Sequence, residues 1–187
     1  MNKMDQLHEK VMRRAGIIRT IFSFLMVIYL VVGLIGTFVL FSPTTGMTIN
    51  EPVTSGLTLF SYYASSVARL PGSEFDKQLL FGILILLYIT LMEIVFYFTR
   101  KFFQNMALGN SPFRATSVRL LELIRNSLFV LYLLPMLVKP VLYYLFEHTI
   151  RFELTADTTL LIAIIVSLVV EIFRYGTNLQ VEVDETV

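Results

Sequence analysis

Four long apolar stretches constrain the fold of this 187-residue chain more than any other feature of its sequence. They lie at about residues 20–41, 79–98, 127–146 and 158–175. A helix of about twenty residues, at about 1.5 Å per residue, crosses the roughly 30 Å hydrocarbon layer of a bilayer. Because lipid offers no hydrogen-bond partner to an exposed backbone, each stretch must be an α-helix. We therefore predict an all-α fold class: an integral membrane four-helix bundle that forms a single domain over residues 1–187.

The composition argues against the usual alternative, a water-soluble globular enzyme. Hydrophobic residues make up 56% of the chain and charged residues 16%, against about 45–50% and about 25% in soluble domains. The first apolar stretch is longer than the roughly 7–15 apolar residues of a cleaved signal peptide. It also ends at Phe41-Ser42-Pro43, without an Ala-x-Ala pattern. We expect this stretch to be retained as a signal-anchor helix.

Lys and Arg are concentrated in two of the segments that flank the apolar stretches. Five precede the first stretch and five lie between the second and the third, namely Lys3, Lys10, Arg13, Arg14, Arg19, Arg100, Lys101, Arg114, Arg119 and Arg125. Since cytoplasmic segments of membrane proteins carry the excess of basic residues, both termini are predicted to lie inside. This orientation places eleven basic residues in the cytoplasm and three outside. It gives an outer loop at 42–78, a cytoplasmic segment at 99–126 and a cytoplasmic tail at 176–187.

Two of the connecting segments carry helical patterns of their own. In the cytoplasmic segment, Ser111 suits a cap and Pro112 suits the first helical position. An apolar repeat at helical spacing follows: Val118, Leu121, Ile124 and Leu128. The third helix is therefore predicted to begin in the cytoplasm near Pro112 and to enter the membrane without a break. The outer loop has a similar repeat, which predicts a helix that caps the bundle or senses a ligand: Leu59, Phe60, Tyr63, Val67 and Leu70.

Three charged residues lie within the predicted spans: Glu93, Lys139 and Glu171. A charge at the bilayer centre costs about 2.5–3.5 kcal/mol on insertion scales, so it usually faces protein or water. Glu93 and Glu171 lie close to the predicted inner boundary, where Glu93 reaches water and Glu171 has Arg174 three residues further along the helix. Lys139 lies deeper, between two prolines whose missing amide donors leave carbonyl oxygens for its ammonium group. The alternative is a proton or cation site inside the bundle.

No pattern in the sequence indicates catalytic or metal chemistry. The chain has no cysteine, so it offers neither thiol chemistry nor a Cys-ligated zinc. His8-Glu9 is not followed by a second His at helical spacing, and the sequence has no Gly-x-Ser-x-Gly elbow and no Walker lysine loop. The predicted spans contain no Asp, which argues against an intramembrane aspartyl protease. We therefore expect no enzyme activity, no cofactor and no metal.

Two stretches of the sequence resemble a known family. One is Gly-Asn-Ser-Pro-Phe at 109–113, and the other joins Glu-Ile-Phe-Arg-Tyr-Gly at 171–176 to the acidic end of the chain at 179–187. With the four-span layout, they resemble the YoaS-like family of small bacterial membrane proteins, a domain of unknown function. That family has a Gly-Asn-Pro-Phe turn and a Glu-x-Asp-Leu-Thr-Val tail; here Ser111 stands within the turn and Glu185 replaces the Leu. The resemblance implies the cytoplasmic membrane of a bacterium and a neighbouring gene for a helix-turn-helix regulator.

The tail itself has the alternation of a strand. Leu179, Val181 and Val183 alternate with polar residues, and the tail is acidic where the cytoplasmic segment is basic. Three interpretations remain open on the sequence. The tail is solvated and disordered, or it folds back onto Arg114 and Arg119, or it adds to a partner protein as a strand or acidic plug.

The function predicted from these features is that of a non-enzymatic sensor or regulator in the membrane, with a cytosolic transcription regulator as partner. The residues predicted to bind the partner are Asn110, Phe113, Arg119, Glu182 and Asp184. Asn110 and Phe113 would shape the cytoplasmic turn. The alternative is a small transporter or immunity-type protein that uses Glu93, Lys139 and Glu171. A role as a structural subunit of a larger complex and assembly into a homo-oligomer both stay open. The lipid bilayer is an expected partner, and no direct contact with nucleic acid is expected.

Overall fold

The computed structural model describes residues 3–41, 60–65 and 74–186. Within them the chain forms, in order, α1 (Lys3–Leu40), β1 (Phe60–Ser65), α2 (Glu74–Ala107), α3 (Ala115–Glu147), β2 (Arg151–Ala156) and α4 (Thr158–Thr186). All four of these helices are long and apolar enough to cross a membrane. This finding confirms the predicted multi-pass helical character, with one apolar stretch of the sequence in each helix.

The helices are longer than a membrane requires. They contain 38, 34, 33 and 29 residues, so at about 1.5 Å per residue they measure roughly 57, 51, 50 and 44 Å. The hydrocarbon layer is about 30 Å thick, so each helix that crosses it also extends beyond it. The sequence prediction ended each span where the apolar residues end. A helix that has already formed adds further residues at little cost, and it therefore continues past that point.

The chain divides into two compact units, each built from parts of several helices. We call residues 1–28, 93–128 and 163–187 the basic unit, because eleven of the fifteen Lys and Arg residues fall in it. We call residues 29–92 and 129–162 the ribbon unit, because they include both strands. Each unit has its own buried apolar side chains.

The core of the basic unit includes the N-terminal part of α3. The apolar repeat predicted from the sequence is buried there: Val118, Leu121, Ile124 and Leu128. From α1, Phe22 packs on two rings of α2, with centroid distances of 5.9 Å to Phe96 and 6.1 Å to Phe103. Aromatic pairs of this kind contribute about 0.5–1.5 kcal/mol beyond the area that they bury. The helical period of α3 thus identified its buried face correctly.

The ribbon unit contains the element that the sequence prediction got wrong. Residues Phe60–Ser65, expected to be helical, form β1, which pairs antiparallel with β2 in the register Phe60↔Ala156 to Ser65↔Arg151. The remaining residues of the expected outer helix, Leu59, Val67 and Leu70, lie outside the described part of the chain. The segment Phe-Ser-Tyr-Tyr-Ala-Ser is rich in aromatic residues, which favour strands. A distant partner strand then supplies the backbone hydrogen bonds.

Close helix contacts in the ribbon unit occur at two glycines. A Cβ added at Gly33 of α1 would overlap the side chain of Ile89 in α2. A Cβ added at Gly82 of α2 would lie 2.8 Å from the ring of Phe41, at the end of α1. Small residues allow helices to approach closely in a membrane, where packing rather than the hydrophobic effect holds them together. These two positions therefore join α1 and α2.

The tail of the chain is helical, so the predicted strand alternation is wrong. The helix α4 runs without interruption from Thr158 to Thr186, which also replaces the interpretation of a disordered tail. The last glycine of the chain is Gly176, and no proline follows it. Each added residue then forms one backbone hydrogen bond with the preceding turn. The alternation of apolar residues over a short segment favours a strand less than these added hydrogen bonds favour continuing the helix.

Candidate functional site

The turn between α2 and α3 is held by backbone geometry that requires its glycine. After α2 ends at Ala107, Gly109 adopts a left-handed conformation with φ of 81°. Its N–H donates to the carbonyl oxygen of Met106 at 3.1 Å, and the N–H of Asn110 donates to that of Asn105 at 3.3 Å. These bonds satisfy carbonyl groups that a helix end leaves unpaired. These bonds therefore close the end of α2.

The same turn is closed by Ser111. Its Oγ accepts a hydrogen bond from the N–H of Phe113 at 3.3 Å, and its carbonyl oxygen accepts one from Oγ of Ser117 at 3.2 Å. Ser117 is fully buried, so this bond satisfies a hydroxyl that has no access to water. The helix α3 begins at Ala115, three residues after the predicted start at Pro112.

Phe113 joins this turn to α4. Its ring stacks on Phe173 with a centroid distance of 5.1 Å and an angle of 29° between the ring planes. The hydroxyl of Thr177 lies 2.5 Å from the carbonyl oxygen of Phe113, to which it donates a hydrogen bond. A Cβ added at Gly176 would lie 2.6 Å from the Phe113 ring, so the glycine makes room for it. We call Phe113, Phe173, Gly176 and Thr177 the Phe113 junction.

The Phe113 junction brings together the two stretches on which the family resemblance rests. Residues 109–113 and 171–176 are about sixty positions apart in the chain, and Phe113 contacts Phe173 and Gly176 directly. The sequence prediction singled out both stretches without predicting that they touch. The aromatic side chains and the glycine were the signals in the sequence that could have indicated this contact. Because the span was predicted to end at 175, Gly176 was not placed on a helix.

Beside the junction, Arg174 forms two ion pairs. Its Nη1 lies 3.1 Å from Oε1 of Glu171, three residues earlier in α4, as the sequence predicted. Its Nη2 lies 2.5 Å from Oε1 of Glu122 in α3, a partner that the prediction missed. Exposed ion pairs are screened by water and contribute little to stability. Arg174 therefore orients α4 against α3 more than it stabilises the protein.

The predicted partner-binding residues are found in different settings. Asn110 accepts a hydrogen bond from Nη1 of Arg114 at 2.9 Å, and Phe113 lies in the junction. Arg119 and Glu182 are exposed. Asp184 belongs to the helical tail, and its side chain lies outside the described part of the structure.

Two of the three charged residues of the predicted spans form ion pairs, and the partner of Lys139 is one that the sequence analysis did not consider. Its Nζ lies 3.4 Å from Oε2 of Glu153 in β2, whereas backbone carbonyl oxygens near the prolines were the expected acceptors. Glu171 pairs with Arg174 in the basic unit. For Glu93, Oε1 is shielded from solvent and has no hydrogen-bond partner among the described residues. The residue as a whole is half-buried.

A second contact ties β2 to α3. The hydroxyl of Tyr132 donates to the carbonyl oxygen of Thr155 at 2.7 Å, and Tyr132 lies about two turns before Lys139 in the same helix. Together with the Lys139–Glu153 pair, it fixes the strand across the C-terminal half of α3. Between these elements lies a cavity of about 190 Å³, whose lining includes Lys139 and Glu153.

The ends of β2 are anchored as well. Arg151 pairs with Glu147 at 3.2 Å and lies over the ring of Tyr143 at 4.8 Å, and its burial lowers the pKa of the guanidinium. At the other end, Oδ1 of Asp157 accepts the N–H groups of Thr159 and Leu160 at 3.0 and 3.1 Å. Asp157 is thus the N-cap of α4.

Within the described residues, no group of three or more His, Asp or Glu side chains is placed to hold a metal ion. Comparison of the chain with known protein families, with characterised proteins and with solved structures finds no match. Two candidate functional sites are carried forward from the described residues. One is the Phe113 junction with the end of α4, and the other is the cavity beside Lys139.

Proposed function

We propose that this protein is a non-enzymatic four-helix bundle of the bacterial cytoplasmic membrane, and that it binds a cytosolic protein through the end of α4. The partner we favour is a helix-turn-helix transcription regulator, whose availability to DNA the membrane protein would control. The resemblance to the YoaS-like family supports this choice of partner. The observation that carries the proposal is an exposed helical extension beyond the Phe113 junction.

This extension is open to solvent along its described length. Every residue from 178 to 182 is exposed. An apolar stripe with spacings of four, three and four residues runs along α4 into it, and its members are between 42% and 66% exposed: Leu168, Ile172, Tyr175 and Leu179. Where such a stripe lies in the membrane, lipid covers it. Where it continues into water, an exposed apolar surface marks a binding site.

The length of α4 supports a wet location for Leu179. From the cap at Asp157 to Arg174 the helix rises about 26 Å at about 1.5 Å per residue, which is close to the roughly 30 Å hydrocarbon thickness. Arg174, with its two glutamates, then lies near the boundary. Leu179 is five residues further on, about 7 Å beyond Arg174.

The charge distribution supports a cytosolic location for this end. Eleven of the fifteen Lys and Arg residues belong to the basic unit, which also contains the end of α4. Basic residues accumulate on the cytoplasmic side of a membrane. The proposed orientation therefore has both termini inside, as the sequence analysis predicted.

The chemistry of the extension favours a basic partner. Its apolar residues are accompanied by Glu182, Asp184 and Glu185, so the end of α4 is an acidic amphipathic helix. Such helices bind by laying their apolar face in a groove. DNA-binding domains carry Lys and Arg that neutralise phosphates. An acidic helix competes with DNA for such a surface, which would couple membrane binding to release from DNA.

The test compares partner binding by two variants of the full-length protein in detergent, each with one aspartate introduced into the extension. Leu179→Asp places a charge on the apolar stripe, whereas Gln180→Asp places the same charge on an adjacent, exposed position. The binding measured is that of a purified helix-turn-helix regulator, the class of protein that the family resemblance implies for a neighbouring gene. We expect Leu179→Asp to weaken the affinity by about tenfold or more and Gln180→Asp to leave it nearly unchanged. The proposal fails if the wild-type protein does not bind, or if both variants bind equally well.

A further inference from the structure

The cavity of the ribbon unit has a defined and unusual charge composition. It lies beside the Lys139–Glu153 pair, whose charges balance at 3.4 Å. Asp157 also lines it, and its Oδ1 accepts the N–H groups of Thr159 and Leu160 at the start of α4. The lining therefore carries two carboxylates and one ammonium group, an excess of one negative charge. The dipole of α4, equivalent to about half a positive charge at its N-terminus, offsets only part of it.

Three tyrosines line the same cavity: Tyr29 from α1, Tyr88 from α2 and Tyr132 from α3. The faces of aromatic rings attract cations, and the attraction is stronger where water is excluded. Aromatic rings combined with a carboxylate are the features that proteins use to hold substituted ammonium groups. Their origin in three different helices means that the cavity is formed by the fold of the whole unit and not by one local sequence.

The size of the cavity limits the ligand. Its volume of about 190 Å³ is far greater than the roughly 10–15 Å³ that one water requires. It is smaller than the roughly 300–1,000 Å³ of pockets for drug-sized molecules. The fitting ligand is a compact molecule, and the charge of the lining selects a cation over an anion.

We propose that this cavity binds a small organic cation, with a substituted ammonium group held by Glu153, Asp157 and the three tyrosine rings. This inference does not depend on the proposed cytosolic partner, since the cavity lies in the ribbon unit and the end of α4 in the basic unit. It assigns to the protein a ligand of its own.

The test uses choline and its uncharged carbon analogue, 3,3-dimethylbutan-1-ol, which has the same shape. Binding of each to the purified full-length protein in detergent is measured by calorimetry. We expect choline to bind at least about tenfold more tightly than the analogue, a difference of about 1.4 kcal/mol. This comparison uses only the wild-type chain, so it does not depend on how well any variant folds.

A variant then locates the site. Glu153→Gln removes one carboxylate from the lining, and Glu9→Gln makes the same substitution at an exposed position of α1 in the basic unit. We expect choline affinity to fall by about tenfold in Glu153→Gln and to stay unchanged in Glu9→Gln. Equal binding of choline and its analogue, preferential binding of inorganic phosphate, or equal choline affinity in Glu153→Gln and wild type would each overturn the proposal. None of these outcomes bears on binding at the end of α4.

Discussion

The Phe113 junction makes a quantitative prediction about Gly176. In a helix, replacing Gly by Ala is normally favourable by about 0.8–1 kcal/mol. At position 176, however, the added Cβ would lie 2.6 Å from Cδ1 and 2.7 Å from Cε1 of Phe113. The ring cannot withdraw freely, because it stacks on Phe173 and its backbone carbonyl is bonded to Thr177. Overpacking of this kind costs about 1–3 kcal/mol.

The two effects oppose each other, and the overpacking is the larger. We therefore expect Gly176→Ala to lower the free energy of unfolding by about 1 kcal/mol, with a range of about 0–2 kcal/mol. The assay is denaturant unfolding of the full-length protein in detergent. The matched control is Gly16→Ala in α1, where an added Cβ meets nothing within 4 Å. That control should gain stability by up to about 1 kcal/mol.

A second background makes the physical reason testable. In Phe113→Leu, the smaller side chain leaves space for the added methyl group. There Gly176→Ala should become neutral or stabilising, a change in sign that only contact between the two positions explains. The reasoning is refuted if Gly176→Ala stabilises the wild-type protein as much as Gly16→Ala does, or if its effect is the same in both backgrounds.

Two further predictions concern the cap of α4 and the orientation of the chain. Asp157→Ala should lower the free energy of unfolding by about 1 kcal/mol and speed hydrogen exchange at the Thr159 and Leu160 amides. Asp157→Asn should keep the cap, so equal exchange rates in the two variants would contradict this role of Asp157. Because the chain has no cysteine, Gln180→Cys and Thr45→Cys each create a unique label site. A membrane-impermeant maleimide should label Thr45→Cys in intact cells and Gln180→Cys only after lysis, and the reverse pattern would invert the proposed topology.

The features that the sequence predicted well are those set by local physics. The apolar repeat of α3 and the i, i+3 pair of Glu171 and Arg174 follow from the helical period alone. The four apolar helices follow from the length of the apolar stretches and the absence of hydrogen-bond partners in lipid. Neither inference needs knowledge of which segments lie side by side.

The errors arise where distant segments meet or where two local signals compete. Lys139 pairs with Glu153, 14 residues away, and Arg174 with Glu122, 52 residues away, and no spacing rule reaches so far. Residues 60–65 are short and rich in aromatic side chains, so period alone does not separate a helix from a strand there. Pairing with β2 makes this segment a strand, and the sequence pattern does not reveal that pairing.

The pairing of β1 with β2 also constrains how the protein is made. Ser65 and Arg151 pair although 86 positions separate them. At roughly 5–20 residues per second on a ribosome, β1 is complete roughly 4–17 seconds before its partner is synthesised. Throughout that interval its backbone groups form an open edge, to which other chains can add. A nascent chain stalled between α2 and α3 should therefore be the form most prone to aggregate or to recruit a chaperone.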